Sequence, residues 1–276
     1  MEDCKICKAA SKFIFKKRIL AKYDADYFQC QTCHFIQVKN PFWLDEAYEH
    51  AISPLDTGLV SRNISWSTFA ETFILKNFDP HKQFIDYGGG CGLFVRLMRD
   101  KGFDFYRQDN YCQNLFAQYF DVTNLKSAGL RFELLTAFEL FEHLVDPMLE
   151  IDHMLMFSES LLFSTELHSP NDKDIENWWY LSPSSGQHIS FFTEDSFRMI
   201  AKTLNLNYYS NGATLHLLSR RNFKESPFKT NTPTILFRIK KRLDALVCPT
   251  QEIQSDLKSL TQVDNEYIEK TKNPPI

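Results

Sequence analysis

The sequence predicts an α/β fold: a mostly parallel, Rossmann-like sheet covered by helices and closed by an antiparallel hairpin. A small cysteine ribbon precedes it and a helical extension follows. Three observations carry this. From Phe84 to Leu204, apolar strand-like runs alternate with amphipathic helix-like runs. A glycine-rich turn, Gly88-Gly89-Gly90-Cys91-Gly92, joins the first of those strands to the first of those helices. Two Cys-x-x-Cys pairs, Cys4/Cys7 and Cys30/Cys33, lie at the start of the chain.

At 276 residues there is room for one full α/β domain with smaller appendages. A hydrophobic content of 43%, with 25 Phe, suffices for a packed core. The formal net charge of −4 gives no global attraction to nucleic acid or to anionic membrane. No apolar run approaches the ~20 residues that a membrane span requires, and Met1-Glu2-Asp3-Cys4 lacks the apolar stretch of a signal peptide. Seven cysteines are too few and too unevenly placed for a disulfide scaffold at this length. The expectation is a soluble cytoplasmic protein.

Residues 1–50 read as a metal-binding ribbon. Each Cys-x-x-Cys makes a tight knuckle with both sulfurs on one ion, and two knuckles complete a tetrahedral sulfur site suited to zinc. The intervening 22 residues suit a ribbon, with Phe13-Ile14-Phe15 and Tyr27-Phe28-Gln29 as short strands. So small a module buries little apolar surface alone, and metal binding would contribute on the order of 10 kcal/mol to its folding. With Cys4, Cys7, Cys30 and Cys33 filling the shell, the zinc is structural and the adjoining His34 is not a ligand. Seven basic residues from Lys5 to Lys22 make the module locally basic; a solvated face is favoured over a nucleic-acid contact.

Phe42 to His50 predicts a short aromatic helix. Residues 51–79 are a helical connector, with a helix over Ser65 to Phe78 that turns Trp66, Phe69, Phe73 and Leu75 inward and ends at Asp79-Pro80. Residues 80–220 form the sheet domain. Phe84 to Asp86 is its first strand, ending in an acidic residue, Leu93 to Lys101 a helix, and Phe103 to Tyr106 the second strand. The third strand is faint, over Phe120 to Val122. Phe132 to Phe138 and Ser160 to Thr165 follow as strands, joined by a helix that starts at Asp146-Pro147. Thr193 caps a helix through Leu204. Leu206 to Ser210, Asn211-Gly212 and Ala213 to Ser219 then make a hairpin. Residues 221–276 are polar, with a basic amphipathic helix over Leu236 to Leu246 and a loose last dozen residues.

The glycine spacing separates two cofactor classes. A dinucleotide fingerprint places glycines first, third and sixth; here they are Gly88, Gly90 and Gly92, and Leu93 holds the sixth position. The run from Phe84 through Asp86 to Gly92 resembles motif I of class I S-adenosylmethionine (SAM) methyltransferases. A parallel sheet finished by an antiparallel hairpin is a feature of that fold. Thr136 to Pro147, with Glu142-His143-Leu144 and Asp146-Pro147, resembles the segment after the fourth strand in the superfamily that includes ubiquinone-biosynthesis methyltransferases. His188-Ile189-Ser190-Phe191-Phe192-Thr193 resembles its His-x-x-x-Phe-Thr segment.

In such a sheet the ligand lies at the carboxyl ends of the strands. The glycine turn would cradle SAM, with Asp86 orienting the loop or the amino-acid end of the cofactor. Asp109, 23 residues after Asp86, suits hydrogen bonds from ribose hydroxyls. Phe138 flanks the adenine or sulfonium, or else belongs to the core. Glu139, Glu142 and His143 would lie beside the transferable methyl. His188 is the preferred general base, because an unperturbed imidazole titrates near ~6.5. Trp178-Trp179-Tyr180 is an aromatic patch suited to a lid or a sugar-stacking platform.

The resemblance implies a SAM-dependent methyltransferase with a structural zinc, analogous to zinc-containing methyltransferases of deoxysugar and surface-polysaccharide biosynthesis. Sugar C-methyltransferases of that group carry a further large C-terminal domain, whereas only residues 221–276 remain here. O-methylation of a small-molecule or glycan acceptor, a sugar or similar hydroxylated metabolite, is therefore expected. Two readings compete: an RNA methyltransferase that holds its substrate with the ribbon, and a non-enzymatic SAM-fold binding module.

Overall fold

The structure, a computed structural model, describes residues 2–49, 56–125, 130–229 and 259–272. In chain order the elements are β1 (Glu2–Asp3), β2 (Ala10–Ile19), β3 (Tyr23–Cys30), β4 (Ile36–Val38), α1 (Leu44–Ala47), α2 (Leu59–Asn77), β5 (Gln83–Tyr87), α3 (Leu93–Asp100) and β6 (Asp104–Gln108). After them come β7 (Leu134–Ala137), α4 (Pro147–Phe157), β8 (Ser160–Ser164), β9 (Ser190–Phe191), α5 (Glu194–Leu204), β10 (Asn207–Ser210), β11 (Leu215–Ser219) and α6 (Thr261–Lys272). No helix among the described residues is long and apolar enough to cross a membrane.

The larger sheet runs β10-β11-β8-β7-β5-β6. β6, β5, β7 and β8 pair in parallel, and β11 inserts antiparallel between β8 and β10. Strand alternation divides the core in two. Phe84, Leu134, Leu162 and Leu217 pack with Phe73 of α2 and Phe94 and Met98 of α3. Ile85, Leu135, Leu161 and Leu218 pack with Ile151 of α4 and Phe197 of α5 on the other face. α4 starts as its sequence dictates: Asp146 accepts from the Leu149 amide (3.2 Å), and Pro147 occupies the first turn.

Several elements differ from expectation. The faint third strand is reduced to one bridge, Arg107 to Asp121, followed by a single 3-10 turn at Val122–Asn124. Asp121 and Asn124 close that turn reciprocally, which competes with strand extension. α2 starts at Leu59 rather than Ser65, its first turn held by Arg62 Nη2 donating to both carboxylate oxygens of Asp56 (2.7 and 2.8 Å). The expected aromatic helix before it is a single turn, α1. The hairpin loop is wider than two residues, because Asn211 Oδ1 accepts from the amides of Ala213, Thr214 and Leu215. The last dozen residues, expected to be loose, include most of α6. Asp264, buried, accepts from Arg99 and Arg96 of α3. The helix expected over Leu236 to Leu246 lies outside the described residues.

The smaller sheet runs β1-β2-β3-β4-β9. β2 and β3 are far longer than the two triplets the sequence suggested. Their apolar face has a partner: Phe15, Ile19, Tyr27, Ile36 and Val38 pack on Tyr180, Leu181, Ile189 and Phe191. β9, which follows His188, adds to the ribbon's sheet with Ile36 opposite Phe191 and Gln37 opposite Ser190. Thr193 binds the two parts together. Its hydroxyl accepts from the Ser196 amide as the cap of α5 (3.1 Å) and donates to the carbonyl of Cys33 (2.8 Å). Thr193→Val keeps the shape and removes both bonds, at an expected cost of about 1–3 kcal/mol. Urea unfolding of the two proteins measures it, and an unchanged midpoint would show that the bonds contribute nothing.

Candidate active site

The glycine turn leaves the carboxyl end of β5 and opens α3. Gly88, Gly90 and Gly92 have φ of 70°, 52° and 82°, in the left-handed region. Gly92 has no alternative: a Cβ there would lie 2.7 Å from Asn114 Oδ1 and 3.1 Å from the Ala117 amide nitrogen. At Gly90 the space a Cβ would take holds no atom within 4 Å, so this face of the loop is left open to a ligand. A cavity of about 140 Å³ lies over it. Asp86, Gly88, Gly90, Phe94, Phe138 and Glu139 line one side, and Arg62, Asn63 and Trp66 of α2 line the other. A larger depression at His81–Gln83 and Arg131–Glu133 lies at the amino ends of β5 and β7, remote from the loop.

Asp86 is buried, and Thr136 Oγ1 donates to it (2.6 Å). Burial pushes its carboxyl up to about 7, with the Asp109 charge adding to the rise and the Thr136 bond opposing it. Asp109 has a second task beside the one expected of it. Its carboxylate accepts from the amides of Gly90 (2.9 Å), Tyr111 (2.8 Å) and Cys112 (2.7 Å), fastening the loop after β6 to the glycine turn. Three of its roughly four lone-pair directions are thereby occupied. Arg107, buried beneath, braces the same junction: Nε donates to the Gly90 carbonyl (2.6 Å), Nη1 to Asp121 (2.6 Å) and Nη2 to the Cys112 carbonyl.

Beyond Glu139 lies a second group, built where the β7–α4 loop meets the 180–189 segment. Glu142, His143 and His188 each bring one ligand-capable atom within 4.8 Å of the others. His188 Nδ1 is 2.6 Å from the carbonyl of Tyr180. A carbonyl only accepts, so Nδ1 carries a proton, and in the neutral imidazole the lone pair is on Nε2. His143 Nδ1 is likewise 3.2 Å from the carbonyl of Gln187, and 2.9 Å from the Tyr48 hydroxyl. Burial pushes His143 down to about 3, which keeps it neutral. Glu142 is buried with Oε2 unpartnered, and desolvation holds its carboxyl above the usual range. Glu139 is raised for the same reason, while Ser164 donates to it (2.7 Å). Its φ of 54° is unusual for a side chain this size and marks a constrained turn at the end of β7.

The four cysteines converge separately. Cys4 and Cys33 sulfurs are 3.6 Å apart, and those of Cys7 and Cys30 are 3.4 Å apart. Four thiolates on one zinc at about 2.3 Å require edges only slightly longer than these. The knuckles match each other: the residue after each pair, Lys8 and His34, has φ near the same value, 60° and 59°. His34 therefore serves the turn and stands outside the cluster of sulfurs. The ribbon also carries its own counter-charges, Asp26 on Lys16 and Glu46 on Lys22.

A family model described as a methyltransferase domain matches residues 66–211, just over half of the chain. The chain belongs to the methyltransferase-domain family. It is a SAM-dependent methyltransferase. No curated protein matches it. Among solved structures, it is similar to the plantazolicin methyltransferase BpumL in complex with SAH, at 13% identity and a TM-score of 0.39, over 64% of this chain and 89% of that one. It is similar to a chain of the Haloferax volcanii complex between the Trm112 methyltransferase activator and a methyltransferase, at 12% identity and 0.45, over 64% and 98%. It is also similar to magnesium protoporphyrin IX methyltransferase from Synechocystis PCC 6803, at 11% identity and 0.39, over 63% and 90%.

The methyltransferase thus gathers Asp86, Gly88, Gly90, Phe138 and Glu139 around one cavity, while Gly92 shapes the entry to α3. His143 and His188 meet next to Glu142. Sequence reasoning missed Arg62, which lies before the helix it expected, and Arg107 and Tyr48, whose roles have no local signal. Trp66 was placed in the core; it stacks on Phe138 at 5.1 Å and closes the cavity. Trp66 Nε1 is buried there without a hydrogen-bond partner, and Arg62 Nε is 3.5 Å from Glu139 Oε2 as an ion pair. One prediction follows from Asp86. The folded state holds its proton more tightly than the unfolded chain, so this group makes stability fall as pH rises from about 4 to about 7. Asp86→Asn removes that slope. Its unfolding midpoint is expected to gain on the parent's by several degrees between about pH 5 and pH 8 in the absence of ligand. A difference that does not change with pH would show that Asp86 is not held protonated.

Proposed function

We propose that the methyltransferase transfers the SAM methyl group to a hydroxyl oxygen of a sugar or related hydroxylated metabolite, as in glycan or surface-polysaccharide biosynthesis. The observation that carries this reading is the His188 imidazole. Its Nδ1 is fixed on the Tyr180 carbonyl, and its Nε2 lone pair belongs to a cluster that adjoins the Glu139 rim of the cofactor cavity. Trp178, Trp179 and Tyr180 stand beside it, and Trp179 is largely exposed, as a platform for a sugar ring would be.

Bound SAM supplies a methyl group already activated by its sulfonium charge. The glycine turn, Asp86, Asp109 and Phe138 would hold it, joined by the Arg62 guanidinium and by Trp66, whose unpartnered indole N–H suits the cofactor's carboxylate. Alignment and exclusion of water are the protein's main contribution. His188 Nε2 takes the hydroxyl proton as the oxygen–methyl bond forms and the sulfur–methyl bond breaks, the bonding pair leaving with sulfur. Glu142 offsets the imidazolium charge that results. Cys4, Cys7, Cys30 and Cys33 hold a structural zinc, which fits a reducing cytoplasmic setting. Residues 1–50 are then the zinc ribbon, 51–79 the connector, 80–220 the SAM-binding domain and 221–276 an extension.

His188→Ala is expected to lower methyl transfer by about 10²–10⁴-fold, with SAM affinity by calorimetry within about threefold of the parent. A parallel loss of SAM affinity would move His188 from acceptor activation to cofactor binding. Label from methyl-labelled SAM should appear on nucleotide sugars or glycans. Label on RNA instead, lost with rising salt, would replace this reading with a nucleic-acid acceptor.

A further inference from the structure

The cluster of Glu142, His143 and His188 has a composition that base catalysis alone does not require. Two imidazoles and one carboxylate, from two separate segments, converge to within 4.8 Å. Each imidazole has Nδ1 on a main-chain carbonyl, Tyr180 at 2.6 Å for His188 and Gln187 at 3.2 Å for His143, where the Tyr48 hydroxyl at 2.9 Å shares the same nitrogen. That is the outer contact by which metal-binding histidines are oriented, because it fixes the tautomer with the lone pair on Nε2. His143 Nε2 is 3.9 Å from Glu142 Oε1, and the two rings meet edge to face at 4.9 Å. Glu142 Oε2, on a side chain with 1% exposure, has no hydrogen-bond partner. Glu139 and Glu166 lie close enough to add their charge to its own. The Tyr180 and Thr165 hydroxyls lie near enough to act on the Glu142 carboxyl, yet Oε2 has no hydrogen bond of good geometry; the group offers lone pairs that a cation would complement.

We propose that Glu142, His143 and His188 form a second metal site, distinct from the four cysteines, that binds a divalent transition cation of the zinc type. Two nitrogens and one carboxylate oxygen suit such an ion and leave a coordination position open. Mg²⁺ and Ca²⁺ prefer all-oxygen shells and are disfavoured. The consequence drawn next rests on the reading of His188 as proton acceptor. An ion on Nε2 occupies the lone pair that the acceptor's proton needs, so the loaded site is inactive and occupancy regulates turnover.

The test uses the full-length protein, with the cysteine site filled, titrated with Zn²⁺ and separately with Co²⁺. Metal content after desalting is expected to be two ions per chain for the parent and one for His143→Ala and for Glu142→Gln, with SAM binding retained in all three as the check on folding. Cobalt at the second site should give visible ligand-field bands without the sulfur-to-metal charge-transfer bands of a thiolate site, and these bands should vanish in both variants. One ion per chain in the folded parent, or two in the parent and in both variants alike, overturns the site. Turnover is expected to fall as the second ion binds. A rise would uphold the site and overturn His188 as the proton acceptor, because the ion would then be activating the acceptor hydroxyl.

Discussion

The junction between β4 and β9 is the contact on which the acceptor side of this molecule depends. β9 is two residues long and begins two residues after His188. It has no partner in the larger sheet and is ordered by the cysteine ribbon, through its pairing with β4 and the bond from the Val38 amide to the Ile189 carbonyl (3.0 Å). The same segment is held elsewhere by other groups of residues 1–50. Trp43 Nε1 donates to the Gly186 carbonyl, Gln187 Nε2 to the Ala47 carbonyl, and the Leu20 amide to the Pro183 carbonyl. A loop of this length would otherwise lose its fixed geometry to conformational entropy, at about 1–2 kcal/mol per residue. The ribbon is thus a wall of the candidate site as well as the carrier of the four converging cysteines, and this explains why its apolar face continues into residues 180–191.

The cofactor side obeys a different constraint. Backbone must come close to a ligand there, so side chains are absent from the glycine turn and the loop is held from beneath. Asp109 and Arg107 do this with opposite charges. The carboxylate gathers amides and the guanidinium gathers carbonyls, so the turn is fixed through both kinds of main-chain group. α2 closes the cavity from above through Trp66 and Arg62. The cavity of about 140 Å³ is small beside the 300 Å³ or so of ordinary ligand sites, and the Trp66–Phe138 stack and the Arg62–Glu139 pair border it.

Between these two sides the carboxyls of Glu139 and Glu142 meet His143 and His188. Glu142 lacks a partner on one oxygen, and His143 is kept uncharged by burial. Such groups are costly to bury and are retained where a proton or a cation must be received. Asp86 follows the same logic at the cofactor end, where a positively charged ligand group would restore the ionisation that burial suppresses.

The sequence by itself determined the class of fold, the glycine turn, the two cysteine knuckles and the caps at Asp146 and Thr193. Each depends on residues close together in the chain, where spacing and φ preference act directly. It also brought forward Asp86, His143 and His188 as residues of interest, through a resemblance confined to short segments. Only the tertiary structure decided what those segments meet. Arg62 and Trp66 reach the cavity over the glycine turn because α2 packs beside α3. Tyr48 meets His143 across 95 residues, and Thr193 meets Cys33 across 160. Asp109, expected to accept hydrogen bonds from ribose hydroxyls, accepts them from the amides of Gly90, Tyr111 and Cys112. The third strand was lost to a reciprocal Asp121–Asn124 turn, and the ribbon gained a strand that periodicity within residues 1–50 could not supply. Local rules specify elements; which surfaces become buried against each other is decided by packing of the whole chain, and the site is made at those surfaces.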